Sequence, residues 1–146
     1  MATDNGLSFE ITVKNDGEEQ LPYSIGWHPA FAVGSGKAYV EYQGSKHEIN
    51  EVYSEHNNVR KLILVNRIVL ETDSYNISIT HNFGNLVLWN PYPKSVDEGS
   101  LIAIEPVSAM PIKERIDLSI TIAPGYKWLE PGKTDHYKAM LRIEEV

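Results

Sequence analysis

The stretch Leu7-Ser8-Phe9-Glu10-Ile11-Thr12-Val13-Lys14 decides the fold class. Leu7, Phe9, Ile11 and Val13 fall on one side of an extended chain, and Ser8, Glu10, Thr12 and Lys14 on the other. Successive side chains of a strand point to opposite faces, so this alternation marks a strand with one face on a core and one in water. Asn15-Asp16-Gly17 then supplies turn chemistry. Strand-like runs recur at Pro22–Trp27, Ala38–Tyr42, His47–Tyr53, Lys61–Val65, Ile68–Thr72 and Tyr75–Thr80. Four more follow at Leu86–Asn90, Leu101–Glu105, Leu118–Ala123 and His136–Ile143. Helical spacing extends no further than one turn's worth at Ile112–Leu118. Many short strands separated by Gly, Pro, Asn and Asp predict an all-β fold, an antiparallel β-sandwich.

The 146 residues suit a single domain spanning 1–146. A hydrophobic content of 42% excludes a solvated disordered polymer. With 13 Lys and Arg against 20 Asp and Glu the net charge is −7, and no basic run is longer than two, so no nucleic-acid partner is expected. The lack of cysteine rules out disulfides, a Cys-ligated zinc and a thiol nucleophile. Met-Ala-Thr-Asp-Asn-Gly carries no targeting pattern, and no apolar run approaches the ~20 residues of a membrane span. The expectation is a cytoplasmic protein without membrane contact. The sequon Asn76-Ile77-Ser78 lies in a strand-like run and reads as chance.

Three segments stand apart from ordinary strand and turn material. In Ile25-Gly26-Trp27-His28-Pro29-Ala30-Phe31, Pro29 holds His28 extended and is expected to stop the strand. A His fixed at a strand end beside Trp27 is placed to transfer a proton; the plainer alternative is a His packed in a turn. In Leu101-Ile102-Ala103-Ile104-Glu105-Pro106, Glu105 shares a face with Leu101 and Ala103, and Pro106 is expected to end the pairing. A carboxylate closing so apolar a run is partly desolvated, which raises its pKa toward that of a useful base; the alternative is a carboxylate reaching solvent. In Leu86-Val87-Leu88-Trp89-Asn90-Pro91-Tyr92-Pro93, Trp89 and Tyr92 could stack on the apolar face of a sugar or plug a core.

Together these segments resemble the aldose 1-epimerase, or galactose mutarotase-like, family, nearest its sugar and sugar-phosphate epimerase branch. The matching stretches are LPYSIGWHPAF (Leu21–Phe31), LVLWNPYP (Leu86–Pro93), LIAIEPVSAMP (Leu101–Pro111) and LEPGKTDHYKAMLRI (Leu129–Ile143). The first and third are the specific ones. The resemblance implies a truncated galactose mutarotase-like supersandwich corresponding to the C-terminal half of family members. It also implies His28 as general acid on the ring oxygen of a sugar, Glu105 as general base on the anomeric hydroxyl, and no metal or cofactor.

Family members are roughly twice as long, and their other half contributes an Arg and a second His to the site. His81 is the candidate replacement for that His, and Asp73 the candidate acidic residue on a sugar hydroxyl. Trp27, Trp89 and Tyr92 complete the substrate contacts. A phosphate would call for a cation, for which Lys94 is available. The reading is an aldose 1-epimerase-like isomerase acting on a sugar or sugar phosphate. Its alternatives are a non-catalytic carbohydrate-binding module and an assembly remnant. Sheet edges left by half of a larger sandwich predict a homodimer.

Overall fold

The opening alternation forms a long strand that pairs with the last strand of the chain. In a computed structural model, residues 2–3, 6–34, 37–49, 59–90, 101–109 and 126–146 are described. Their strands are β1 (Ala2–Thr3), β2 (Gly6–Lys14), β3 (Leu21–Tyr23), β4 (Ala30–Ala32), β5 (Tyr39–Tyr42), β6 (Ser45–Glu48) and β7 (Val59–Ile63). β8 (Arg67–Glu71), β9 (Tyr75–His81), β10 (Asn85–Trp89), β11 (Leu101–Val107), β12 (Lys127–Leu129) and β13 (Thr134–Glu145) follow. The expected run Leu118–Ala123, the helical turn at Ile112–Leu118, and Tyr92 and Lys94 lie outside the described residues. No helix among the described residues is long and apolar enough to cross a membrane.

All pairings among the described strands are antiparallel. One sheet has the order β1-β2-β13-β9-β8-β5-β6, a second the order β4-β11-β10-β7, and a ribbon joins β12 to β3. The two large sheets face each other across one core. Val40, Ile68, Leu70, Ile77 and Ile79 come from the seven-stranded sheet; Leu86, Leu88, Ile102 and Ile104 come from the four-stranded sheet. Each of these is at most 3% exposed. A second core lies where the ribbon meets β2 and β13, built on Tyr23, Phe83, Leu129 and Tyr137. Burying side chains from both sheets removes apolar area from water at roughly 25 cal/mol per Å², the main force holding the sandwich closed.

The expected run Pro22–Trp27 is realised as a shorter strand, Leu21–Tyr23, because the chain leaves the ribbon and crosses to the four-stranded sheet. The expectation that Pro29 and Pro106 stop their strands is corrected. Gly26 bridges Val107, and Ala30, Phe31 and Ala32 pair with Ala103, Ile102 and Leu101, so one register runs through both prolines. The Trp27 N–H donates to the Pro106 carbonyl at 2.9 Å, and the Ile104 N–H donates to the Pro29 carbonyl at 3.1 Å. Each proline's missing donor therefore points into the seam between the Gly26–Ala32 segment and β11. The ladder between β11 and β10 loses nothing, with Leu86 opposite Pro106 and Val87 opposite Glu105.

Candidate active site

The register that passes through the prolines sets His28 directly opposite Glu105. Gly26 faces Val107 on one side and Ala30 faces Ala103 on the other, which leaves His28 and Glu105 as the pair between them. The backbone bonds of this seam belong to the flanking pairs, Trp27 with Pro106 and Pro29 with Ile104. His28 and Glu105 thus form a non-hydrogen-bonded pair, the kind in which antiparallel side chains stand closest, with Cα atoms about 4.5 Å apart. The His28 Nε2 lies 3.0 Å from the Glu105 Oε1.

The prolines leave one bond in place of two at each of these pairs, whereas the next pair along, Ile25 with Ser108, keeps both. The buried Ser108 hydroxyl accepts the Ile25 N–H at 2.8 Å, while the Ser108 N–H donates to the Ile25 carbonyl at 2.8 Å. Gly26 also serves the close approach, though toward the protein itself. A Cβ built there would meet Val107 Cγ1 at 3.0 Å.

The two partners differ in environment. The His28 side chain is 58% exposed and that of Glu105 only 16%. Burial pushes the Glu105 carboxyl above its ordinary value, and the attraction of His28 offsets part of that rise. The sequence-based expectation of a partly desolvated carboxylate is met in direction. Trp89 stands edge-on to His28, with ring centroids 5.8 Å apart at 67°. Trp89 shares its cross-strand row with Ala103, and Val87 shares that of Glu105. The outer face of the four-stranded sheet therefore carries a proton donor and acceptor beside one aromatic wall.

The remaining candidates lie elsewhere. Trp27 alternates away from His28 and packs edge-on against Phe9 at 4.6 Å, bridging the two cores beneath the sheet. Its role is support from below rather than a wall of the site. His81 closes β9 in the seven-stranded sheet, is 5% exposed, and accepts the Phe83 N–H on Nδ1 at 3.3 Å. Burial brings its imidazole down from 6.5 to about 4. Asp73 is exposed in the turn between β8 and β9 of that same sheet. The sequence reading missed Lys61, which stands opposite Val87 on β7 and so in the same row as Glu105. Only the sheet register carries that signal.

Among the described residues no group of three or more His, Asp or Glu side chains is arranged to hold a metal ion.

No protein-family model and no curated protein matches the sequence. Solved structures do match. A galactose mutarotase-like protein from Lactobacillus casei superposes with a TM-score of 0.80 at 18% identity, over 99% of this chain and 61% of that one. A galactose mutarotase related enzyme from Lactobacillus acidophilus gives 0.75 at 15% identity, over 98% and 59%. A candidate aldose 1-epimerase from Escherichia coli K12 gives 0.69 at 18% identity, over 99% and 58%. The chain has the galactose mutarotase-like fold, and spans about three-fifths of the length of these structures.

Proposed function

We propose that the chain carries an aldose 1-epimerase-like site in which His28 and Glu105 interconvert sugar anomers. The observation that supports this most is the direct opposition of His28 Nε2 and Glu105 Oε1 at 3.0 Å on the outer sheet face beside Trp89. Anomerisation needs an acid and a base converging on one carbon, because the anomeric hydroxyl and the ring oxygen are both bonded to C1. Glu105 as carboxylate takes the proton of the anomeric hydroxyl, and protonated His28 gives a proton to the ring oxygen as the C1–O bond breaks. Rotation about C1–C2 and the reverse transfers close the ring on the other face. Each group recovers its starting state, so no external proton source and no redox partner is required.

Direct contact between the pair means that the sugar oxygens must enter between two side chains that otherwise satisfy each other. His28 is the more exposed partner and the one free to swing. Trp89 offers the apolar face of the ring a surface.

Anomer exchange by NMR over glucose, galactose and glucose 6-phosphate tests the reading, with wild type and Glu105→Gln run side by side. The expected result is acceleration over background in wild type and a loss of at least about a hundredfold in the variant. Unaccelerated exchange with every sugar overturns catalysis. Binding without acceleration identifies a carbohydrate-binding module instead.

A further inference from the structure

The face that carries His28 extends beyond the acid–base pair. From Tyr23 to Phe31 burial alternates residue by residue: Ser24, Gly26, His28 and Ala30 are exposed, and the residues between them are buried or half-buried. Leu21, Tyr23, Ile25 and Trp27 pack on the core built around Phe83 and Tyr137, so the even-numbered residues turn away from it. The ribbon register then sets Trp128 beside Pro22 on that same side. Its strand neighbours agree with this direction. Leu129 is buried in the core and Lys127 stands over the Tyr137 ring, which leaves Trp128 pointing outward and 45% exposed. Beyond this pair Gln20 Nε2 donates to Glu130 Oε1, and both residues are exposed. Pro22 and His28 are six residues apart, about 20 Å of extended chain, and Ser24 and Gly26 floor the interval with the smallest of side chains or none.

We infer that Trp128 is a second stacking platform on this face, and that the ligand is a neutral oligosaccharide whose reducing-end ring occupies the His28–Glu105 pair. This rests on the sugar-site reading above and goes beyond it by naming the substrate class, a chain of rings. In an oligosaccharide only the reducing-end ring keeps a free anomeric hydroxyl, so only that ring can undergo the exchange at His28 and Glu105. With its C1 at the pair, a chain linked across the ring leaves from the far side. The path along Gly26 and Ser24 leads such a chain to Trp128. A sugar ring presents a C–H face, which stacks on a flat indole, and hydroxyls around its rim. Trp128 serves the face, and the Gln20 amide and Glu130 carboxylate beside it offer donors and acceptors to the rim. The exposed aliphatic corner at Ile63 and Leu64 has no flat ring and makes no such match. Glu130 at the platform and the net charge of −7 repel an acidic chain, which selects a neutral one. Two platforms on one frame make engagement of the second intramolecular, so affinity grows once the chain is long enough to reach both.

Calorimetric titration of wild type, Trp128→Ala and Trp128→Phe tests the assignment. The probes are glucose, galactose and the malto-, cello- and β-galacto-oligosaccharides from disaccharide to hexasaccharide. Trp128 lies outside the core, so its replacement leaves the core intact. Wild type is expected to bind the longest chain of one series about tenfold or more tighter than its monosaccharide. Trp128→Ala should erase that gain and leave monosaccharide affinity unchanged, while Trp128→Phe keeps a stacking ring and retains most of it. Reducing the terminal ring of that chain to its alditol should weaken binding, and equal binding of the alditol overturns the placement of the reducing end. Equal affinity along every series in wild type overturns the inference and leaves the sugar site standing. A gain with length that survives in Trp128→Ala overturns the role of the ribbon. A gain abolished by Trp128→Ala in a protein that does not accelerate anomer exchange supports the platform and refutes the catalysis alone. Binding of no sugar overturns both this inference and the site it rests on.

Discussion

His81 makes the folded state sensitive to mild acid, and the size of the effect follows from its surroundings. Its Nδ1 accepts the Phe83 N–H, so the neutral ring carries its proton on Nε2, which is buried without a hydrogen-bond partner. Phe83 also lies against the ring, with centroids 6.0 Å apart. A second proton would place a cation in this apolar setting, and burial lowers the pKa from 6.5 to about 4. Between these values the unfolded chain binds a proton that the folded chain refuses, so stability falls as pH drops through 6.5 and levels off only below about 4. The whole window is worth about 3 kcal/mol, of which about 2 kcal/mol falls between pH 7 and pH 5. That is a large share of the roughly 5–15 kcal/mol that holds a domain together. Urea denaturation of wild type and His81→Leu at pH 7, 6 and 5 measures it. Every other titrating group is common to both proteins, so the difference between their pH dependences isolates His81. The expected result is a wild-type loss about 2 kcal/mol larger than that of the variant over this range. Parallel pH dependences would refute the reasoning, as would an NMR titration showing His81 protonated by pH 5.

Three further outcomes follow from the site and its frame. Burial raises the Glu105 pKa, so the folded state favours the protonated form, and stability is lost as pH rises through that raised value. Glu105→Gln, which mimics the neutral carboxyl, should therefore raise the melting temperature at neutral pH, with a gain that shrinks toward acid. If Glu105 is the base, the acid limb of the anomer-exchange rate lies above the ordinary glutamate value of 4.5, and a limb at or below it would remove Glu105 from that role. Leu64 adopts φ 57° while 81% exposed, so Leu64→Asn should relieve a left-handed strain at no loss of burial. A stabilisation of about 1 kcal/mol in urea is expected.

Alternation in the chain was enough to predict strands, because which side a residue faces depends only on its parity along an extended backbone. Leu7 to Lys14 needed no other information, and neither did the shared face of Leu101, Ala103 and Glu105. The unusual character of His28 and Glu105 was also legible, from a proline beside each and an apolar run leading into the carboxylate. Their meeting was not. Whether His28 faces Glu105 or stands one residue out of step depends on the register between two segments far apart in sequence, and a slip of one residue would turn every side chain to the other sheet face. The prolines were misread for the same reason. A proline stops a strand when its missing donor was needed by a neighbour, and here both point into one seam whose remaining bonds, with Ser108, suffice. Trp27 and His81 looked like site residues because aromatic and imidazole rings serve cores and sites alike, and only packing against Phe9 and Phe83 separates the two. Lys61 carried no local mark at all. Its place beside the acid–base pair comes from two strand pairings in succession, which exist only once the sheet has formed.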